Sequence, residues 1–231
     1  MFDALFTTTT EYKKLSHALS GKGACALFGL PASGRAQVYA ALCRQLDKPL
    51  CIVTPGEAEA TRFAADLNTL GIPAAVFPAR DYVLRPIEGT AREYEYRRLA
   101  VLGELVGGRL RAVAVPAEAL TQFTTPKEDF CARTLHAGDT LLRDDLLAAL
   151  FGAGYTRRAQ VDGPGQFSVR GDIVDIFAPD QKMPVRMEFW GDEIDTLHTF
   201  DLTTQRREDA IDKFYLSPAR EVLFGKPADA A

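Results

Sequence analysis

One tryptophan, three histidines and four cysteines are the scarce chemistry of this chain, and each scarcity closes off a class of function. Cys25, Cys43, Cys51 and Cys131 show no paired spacing, so no disulfide framework is expected. Cys25 and Cys51 fall in apolar, strand-like runs, where cysteine behaves as a small hydrophobe, and buried reduced thiols are expected there. His17, His136 and His198 are scattered, and none stands at metal-ligand spacing from a cysteine or carboxylate; surface or edge histidines and no metal are expected. No serine sits in a nucleophile-elbow sequence. No apolar run is long enough to span a bilayer, and "MFDALFTTTTEYKK" lacks the charged start and hydrophobic block of a leader, so the expected location is cytoplasmic. A large excess of one charge is missing too. The formal net charge of −4 argues against a chain devoted to gripping nucleic acid, although a local basic patch is still allowed.

What is present is an ordinary globular composition, 47% hydrophobic and 25% charged, in 231 residues that can bury a real core. The first half alternates strand and helix. "ACALFG", "LCIVTP", "AAVFP" and "RAVAVP" read as short buried parallel strands bounded by glycine or proline. Between them, residues 35–46 carry Val38, Leu42 and Leu46 at helical spacing. Residues 57–70 carry Phe63, Leu67 and Leu70 and stop at Gly71, while residues 90–106 form a further helix ending at "GG". This rhythm predicts an α/β domain over 1–127 with an open parallel sheet. Around "TTPKEDF" the alternation stops. One helix, "DTLLRDDLLAALFGAGY", is followed only by strands, "YTRRAQV", "QFSVRGDIVDIF", "PVRMEFWG" and "EIDTLHTFD", with turns at "DGPG", "APDQKMP" and "GDE". A smaller α+β domain is expected over 128–215, and residues 216–231 read as a linker or the start of a returning part of the first domain.

The stretch "FGLPASGRAQVYAALCRQL" has the outline of a phosphate-binding loop, with Gly29 and Gly34 separated by four residues. Such a loop works through backbone N–H groups, a lysine on the terminal phosphates and a hydroxyl on magnesium. Here Arg35 and Ala36 stand at the last two positions. Ala36 has no hydroxyl, Arg35 is a wide planar fork where a compact ammonium is needed, and Pro31 removes an N–H from the cradle. No hydrophobic strand ending in Asp-Glu accompanies it. Gly29, Gly34, Arg35 and Ala36 therefore read as a degenerate loop, with no hydrolysis, cofactor or metal expected.

The second domain is more informative. Strand alternation turns Val185, Met187 and Phe189 inward and leaves Arg186, Glu188 and Trp190 on the opposite face. In "QFSVRGD", Phe167 and Val169 share the inward parity, and Ser168 and Arg170 face outward. If the two strands pair as neighbours, Arg170, Arg186 and Trp190 share one surface. Tryptophan and arginine are the residue types that dominate interface energetics. The competing reading makes Trp190 the cover of a core edge, with the arginines paired to Glu188, Asp172 or Asp192. The "RGD" at 170–172 matches an adhesion tripeptide by letters only.

The long block "GDTLLRDDLLAALFGAGYTRRAQVDGPGQFSVRGDIVDIFAPDQKMPVRMEFWGDEIDTLHTFDLTTQR", ending in "LSPARE", resembles one shared by bacterial transcription-repair coupling factors (Mfd) and the excision-repair helicase UvrB. The degenerate loop and the helical run "AREYEYRRLAVLGELV" resemble the N-terminal UvrB-like module of the coupling factors. The resemblance implies a first domain like UvrB domain 1a, a remnant of a helicase fold, carrying a UvrA-binding domain. It implies UvrA as partner, with contacts at Arg170, Arg186 and Trp190, the last standing where the family usually has Phe. For the full-length protein it implies an ATP-dependent DNA translocase that meets RNA polymerase and double-stranded DNA through other domains. It also implies that a C-terminal domain there masks the UvrA site. The chain itself is then an N-terminal, non-enzymatic recruiting fragment. The alternative is a nucleotide-binding or DNA-binding fragment of a UvrB-type helicase, with Arg92, Arg97 and Arg98 as the basic run that DNA would meet.

Overall fold

The computed structural model describes residues 7–21, 24–46, 48–80, 91–124, 127 and 133–221. They form a mixed α/β structure with a three-stranded, a six-stranded and a two-stranded sheet, mostly antiparallel. Two compact units emerge, one from residues 1–79 with 107–121, the other from 80–106 with 122–231.

In the first unit, helix α1 (Thr10–Ser20) starts at Thr9, whose hydroxyl accepts the Tyr12 N–H at 3.3 Å. Such a cap satisfies a backbone donor that the helix itself leaves open. Helix α2 (Ala32–Gln45) is followed by β1 (Leu50–Thr54), α3 (Glu57–Thr69), β2 (Ala74–Val76) and β3 (Ala112–Pro116). The strands pair in parallel in the order β1-β3-β2. Helix α3 lays Ala60, Phe63, Ala64 and Leu67 against Ile52, Ala112 and Ala114, and ends where Gly71 takes φ +75. A side chain rarely tolerates that dihedral, so glycine is what lets the Ile72 N–H return to the Leu67 carbonyl at 2.9 Å.

Two expectations fail here. "ACALFG" makes no strand: residues 24–28 join no ladder among the described residues and are exposed, Phe28 at 88%. An apolar run becomes a strand only where a neighbour satisfies its backbone N–H and C=O groups. The buried-thiol expectation fails with it. Cys25 and Cys51 are exposed, and it is Cys43, on α2, that is buried, its Sγ 3.5 Å from the Arg111 carbonyl. Strand β1 lies at the edge of its sheet and is covered on one face, so burial alternates: Ile52 and Thr54 inside, Cys51 and Val53 outside. Cys131 lies outside the described residues.

The second unit begins with helix α4 (Ala91–Val106). Then come β4 (Arg133–His136), α5 (Arg143–Gly152), β5 (Thr156–Arg157), β6 (Gln166–Arg170), β7 (Ile173–Phe177), β8 (Val185–Trp190), β9 (Glu193–Phe200), β10 (Arg207–Ala210) and β11 (Lys213–Leu216). The six-stranded sheet runs β10-β9-β8-β7-β6-β5, antiparallel except for β5 on β6. Of "YTRRAQV", expected as a full strand, only the two residues of β5 pair. Helix α5 presses Leu146 and Leu150 onto the inner face, against Phe167, Val174, Ile176, Val185, Met187 and Phe189. Strands β4 and β11 form the small sheet and add Leu135, Phe214 and Leu216 to the same core.

Within this unit, segments far apart in the chain are tied by charge. Glu221 and Arg98 are both fully buried and meet at 2.7 Å, and Arg80 adds a bond to the same carboxylate at 2.9 Å. Burial would raise the Glu221 carboxyl, but hydrogen bonds from Arg98, Arg80 and Thr124 outweigh it and hold the group below its ordinary 4.5.

Candidate functional site

Two Gly-Asp hairpins shape the end of the large sheet. Gly171-Asp172 joins β6 to β7 and Gly191-Asp192 joins β8 to β9, with φ +58 and +63 at the two glycines. Two-residue hairpins favour glycine at such positions because their twist matches that of the strands. Both turns lie at the same end of the sheet, since the strands alternate in direction. Arg170 and Trp190 are the last residues before them. The supposed adhesion tripeptide is thus a strand end and a turn.

On the face away from α5, strand register builds a polar row. Ser168 pairs with Asp175, Asp175 with Arg186, and Arg186 with His198, one residue from each of β6, β7, β8 and β9. Asp175 is fully buried and binds both arginines: Arg170 Nη2 at 2.6 Å, Arg186 Nε at 2.7 Å and Arg186 Nη2 at 3.0 Å. The third nitrogen of Arg186, Nη1, donates to the Gln205 carbonyl at 3.1 Å, and the guanidinium lies 4.6 Å from the centre of the Phe200 ring. Hydrogen bonding to Asp175 drives the Arg186 pKa upward, against desolvation that would lower it. Gln205 holds its carbonyl there from a backbone with φ +59, the only non-glycine residue above zero among those described.

Arg170 and Trp190 differ from Arg186 in one respect that matters for binding. The Arg186 side chain is 11% exposed, whereas that of Arg170 is 47% exposed and Trp190 is 82% exposed. Phe177, Phe200 and Val161 close over the Arg186 end of the face as a small core of their own. The hairpin end stays open. Strand spacing of about 4.8 Å and a rise of about 3.3 Å per residue put the Cα atoms of Arg170 and Trp190 roughly 12 Å apart. Between them Glu188 is neutralised by Arg207 and accepts from Thr196 Oγ1 at 3.3 Å. Arg143, from the start of α5, donates to the Gly171 carbonyl at 2.8 Å and steadies the first turn.

The outward parity of Arg170, Arg186 and Trp190 stands, but the strand neighbours do not: β7 lies between β6 and β8. The arginines pair with neither Glu188, Asp172 nor Asp192 but share Asp175, which the sequence reading passed over. Its signal was available, because a carboxylate inside the apolar run "IVDIF" cannot be buried without cationic partners.

The glycine loop is built differently. Helix α2 begins at Ala32, so Gly34, Arg35 and Ala36 lie within its first turns rather than before it. Pro31, with φ −64, is already set for helix entry, and its carbonyl takes the N–H groups of Gly34 at 2.9 Å and Arg35 at 3.2 Å. Gly29 keeps a left-handed turn at φ +81. Among the described residues Arg35 has Glu59 as its ion-pair partner, at 3.8 Å, with half its side chain exposed, and Ala36 is buried. Among the described residues no group of histidine, cysteine and carboxylate side chains could hold a metal, and no helix is long and apolar enough to cross a membrane.

Residues 134–222 match the family model described as the UvrB interaction domain. The open hairpin end and the Asp175 row both fall inside it, and the glycine loop falls outside. Over a longer span the chain is homologous to two kinds of protein. It is 38% identical over 191 residues to the transcription-repair-coupling factor of Mycobacterium bovis, covering 79% of this chain and 15% of that protein. It is 35% identical over 208 residues to that of Myxococcus xanthus, covering 84% and 17%. To the UvrABC system protein B of Chlorobium limicola it is 28% identical over 217 residues, covering 87% and 32%. The chain thus spans less than a fifth of these coupling factors and about a third of this UvrABC system protein B.

Proposed function

We propose that this chain is the UvrB-like module of a transcription-repair coupling factor, acting in the cytoplasm to recruit UvrA to nucleotide excision repair. The observation that carries the reading is the open hairpin end of the large sheet. There an indole 82% exposed and a half-exposed guanidinium share a face with a second guanidinium held by the same buried carboxylate. A large aromatic beside a pre-oriented arginine fork is the composition of an interface hot spot. Trp190 supplies the apolar area and Arg170 the directed hydrogen bonds. Arg186 contributes by fixing Asp175, and through it Arg170. The first unit serves as scaffold, a remnant of the open parallel phosphate-loop sheet. Its glycine loop hydrolyses nothing, because the hydroxyl for magnesium is replaced by the buried Ala36 and the phosphate-facing ammonium by Arg35. RNA polymerase, double-stranded DNA and ATP-driven translocation belong to parts of the longer protein.

The test is binding of the purified chain to UvrA by calorimetry. Trp190→Ala and Arg170→Ala together should weaken it by about 2 kcal/mol or more, roughly thirtyfold, with the fold retained by circular dichroism. Equal affinity of the double variant and the parent would remove this face from the interface. These two positions are chosen because Arg170→Ala leaves both Arg186 bonds to the buried Asp175 in place, whereas replacing Arg186 would remove two of its three arginine bonds.

A further inference from the structure

The two Gly-Asp turns meet the start of α5, and the residue that opens this helix breaks a local rule. Leu142 is its N-cap, with φ −58 and ψ 129 rather than helical values. Its carbonyl takes the first helical N–H groups, from Asp145 at 3.0 Å and Leu146 at 3.1 Å. A cap side chain that accepts a hydrogen bond stabilises a helix, as Thr9 does for α1, and leucine is among the least favoured residues there. Leucine has no acceptor, and no side chain caps α5. Burial does not explain the choice either. Leu141 and Leu146 enter the large core, whereas Leu142 is 54% exposed and, among the described residues, stands outside that core. Phe151, at the far end of the same helix, is as exposed, but its ring meets Phe167 edge-on with centroids 5.2 Å apart.

Position supplies a reason. The Leu141 N–H donates to the Asp192 carbonyl at 2.7 Å, and Thr140 bridges Glu193, the residue paired with Trp190 across the second turn. Arg143 holds the first turn through the Gly171 carbonyl at 2.8 Å and the Asp172 carboxylate at 3.3 Å. Leu142 is thus fixed between a residue bonded to one turn and a residue bonded to the other. Two strand spacings of about 4.8 Å put the Cα of Thr140 roughly 10 Å from that of Trp190. This end of the sheet therefore carries two large exposed apolar side chains, Trp190 and Leu142, with the part-exposed Arg170 and Arg143 beside them. A single exposed leucine is ordinary. One that stands in place of a helix cap, beside an open docking edge, is a local rule broken where functional demands break such rules.

Building on the assignment of the hairpin end to UvrA, we infer that Leu142 is a second apolar anchor of the docking surface. The surface then runs over the end of the sheet from Trp190 onto the start of α5, and one partner covers both. Calorimetry of the whole chain with UvrA tests this with two variants. Leu142→Asn replaces the apolar side chain with a capping one of similar size, and Leu142→Met keeps the apolar area. Burying the open half of a leucine predicts about fivefold weaker binding for Leu142→Asn, with Leu142→Met within about twofold of the parent. The new cap should hold the melting midpoint of Leu142→Asn at or above that of the parent. Trp190→Ala, measured alongside, separates the anchor from the assignment beneath it. Weakening by Trp190→Ala with parental affinity in Leu142→Asn would overturn the anchor and leave the docking edge in place. Parental affinity in both would remove both. Weaker binding of Leu142→Asn together with a lower melting midpoint would make Leu142 a structural residue and overturn the proposal as well. So would a dimer of the chain alone, lost in Leu142→Asn, which would give this patch to a second copy.

Discussion

Arg35 and Arg170 both come from motifs that look functional in the sequence, yet the protein treats them in opposite ways. Arg35 sits inside a helix with one distant carboxylate, Glu59 at 3.8 Å, and half its side chain in water. Arg170 is equally exposed, but its Nη2 is anchored at 2.6 Å on a carboxylate that is fully buried and shared with Arg186. The first arrangement leaves a long side chain to sample many rotamers, and ordering it for a ligand would cost conformational entropy. The second has met that cost in folding. A surface is made ready for recognition less by which residues it displays than by what holds them from below.

The sharpest way to break this comparison is to remove the supports. Glu221→Ala leaves the fully buried Arg98 without its carboxylate, and should destabilise the second unit toward the upper end of about 3–5 kcal/mol. Asp175→Ala strands Arg186 but only half-buried Arg170, so the lower end of that range is expected. Denaturant titration followed by hydrogen exchange in β7 and β8 measures both. If Asp175→Ala proved neutral in stability while UvrA affinity was kept, the idea of a pre-oriented fork would go. Acid provides a milder version of the first change. The Glu221 carboxyl is held below its ordinary 4.5, so its contribution is complete above that pH and is lost as pH falls through the lower folded value. The parent should therefore lose stability below about pH 4.5 more steeply than Glu221→Gln, whose side chain does not titrate. At the small end, Arg35→Ala should change stability by no more than about 0.5 kcal/mol, and a larger loss would mean the glycine loop is better supported than its geometry indicates.

Local rules carried much of this fold. Helix α3 and its stop at Gly71, the inward row Val185, Met187, Phe189, and the Gly191-Asp192 turn follow from periodicity and turn chemistry in windows of a few residues. What escaped was the turn at Gly171-Asp172: "QFSVRGDIVDIF", expected as one strand, folds back on itself there, which puts β7 between the strands of Arg170 and Arg186 and brings in the shared carboxylate. Phe200 has the outward parity of Arg186 and is nonetheless buried, because the segment around Val161 and Leu202 folds over that part of the face. "ACALFG" failed for the converse reason: its composition suits a strand, but composition supplies no neighbour. The outward parity of Arg170, Arg186 and Trp190 was readable. That Arg186 is held nearly out of water while the other two stay open was not.

Trp190 is the chain's single tryptophan, and it stands in water while the protein is folded. Its emission is therefore already that of a solvated indole, nearly blind to unfolding. The same isolation makes it an unlabelled optical probe of the hairpin edge: shielding from acrylamide and a shift to shorter wavelength would report occupancy of that edge and of nothing else in this chain.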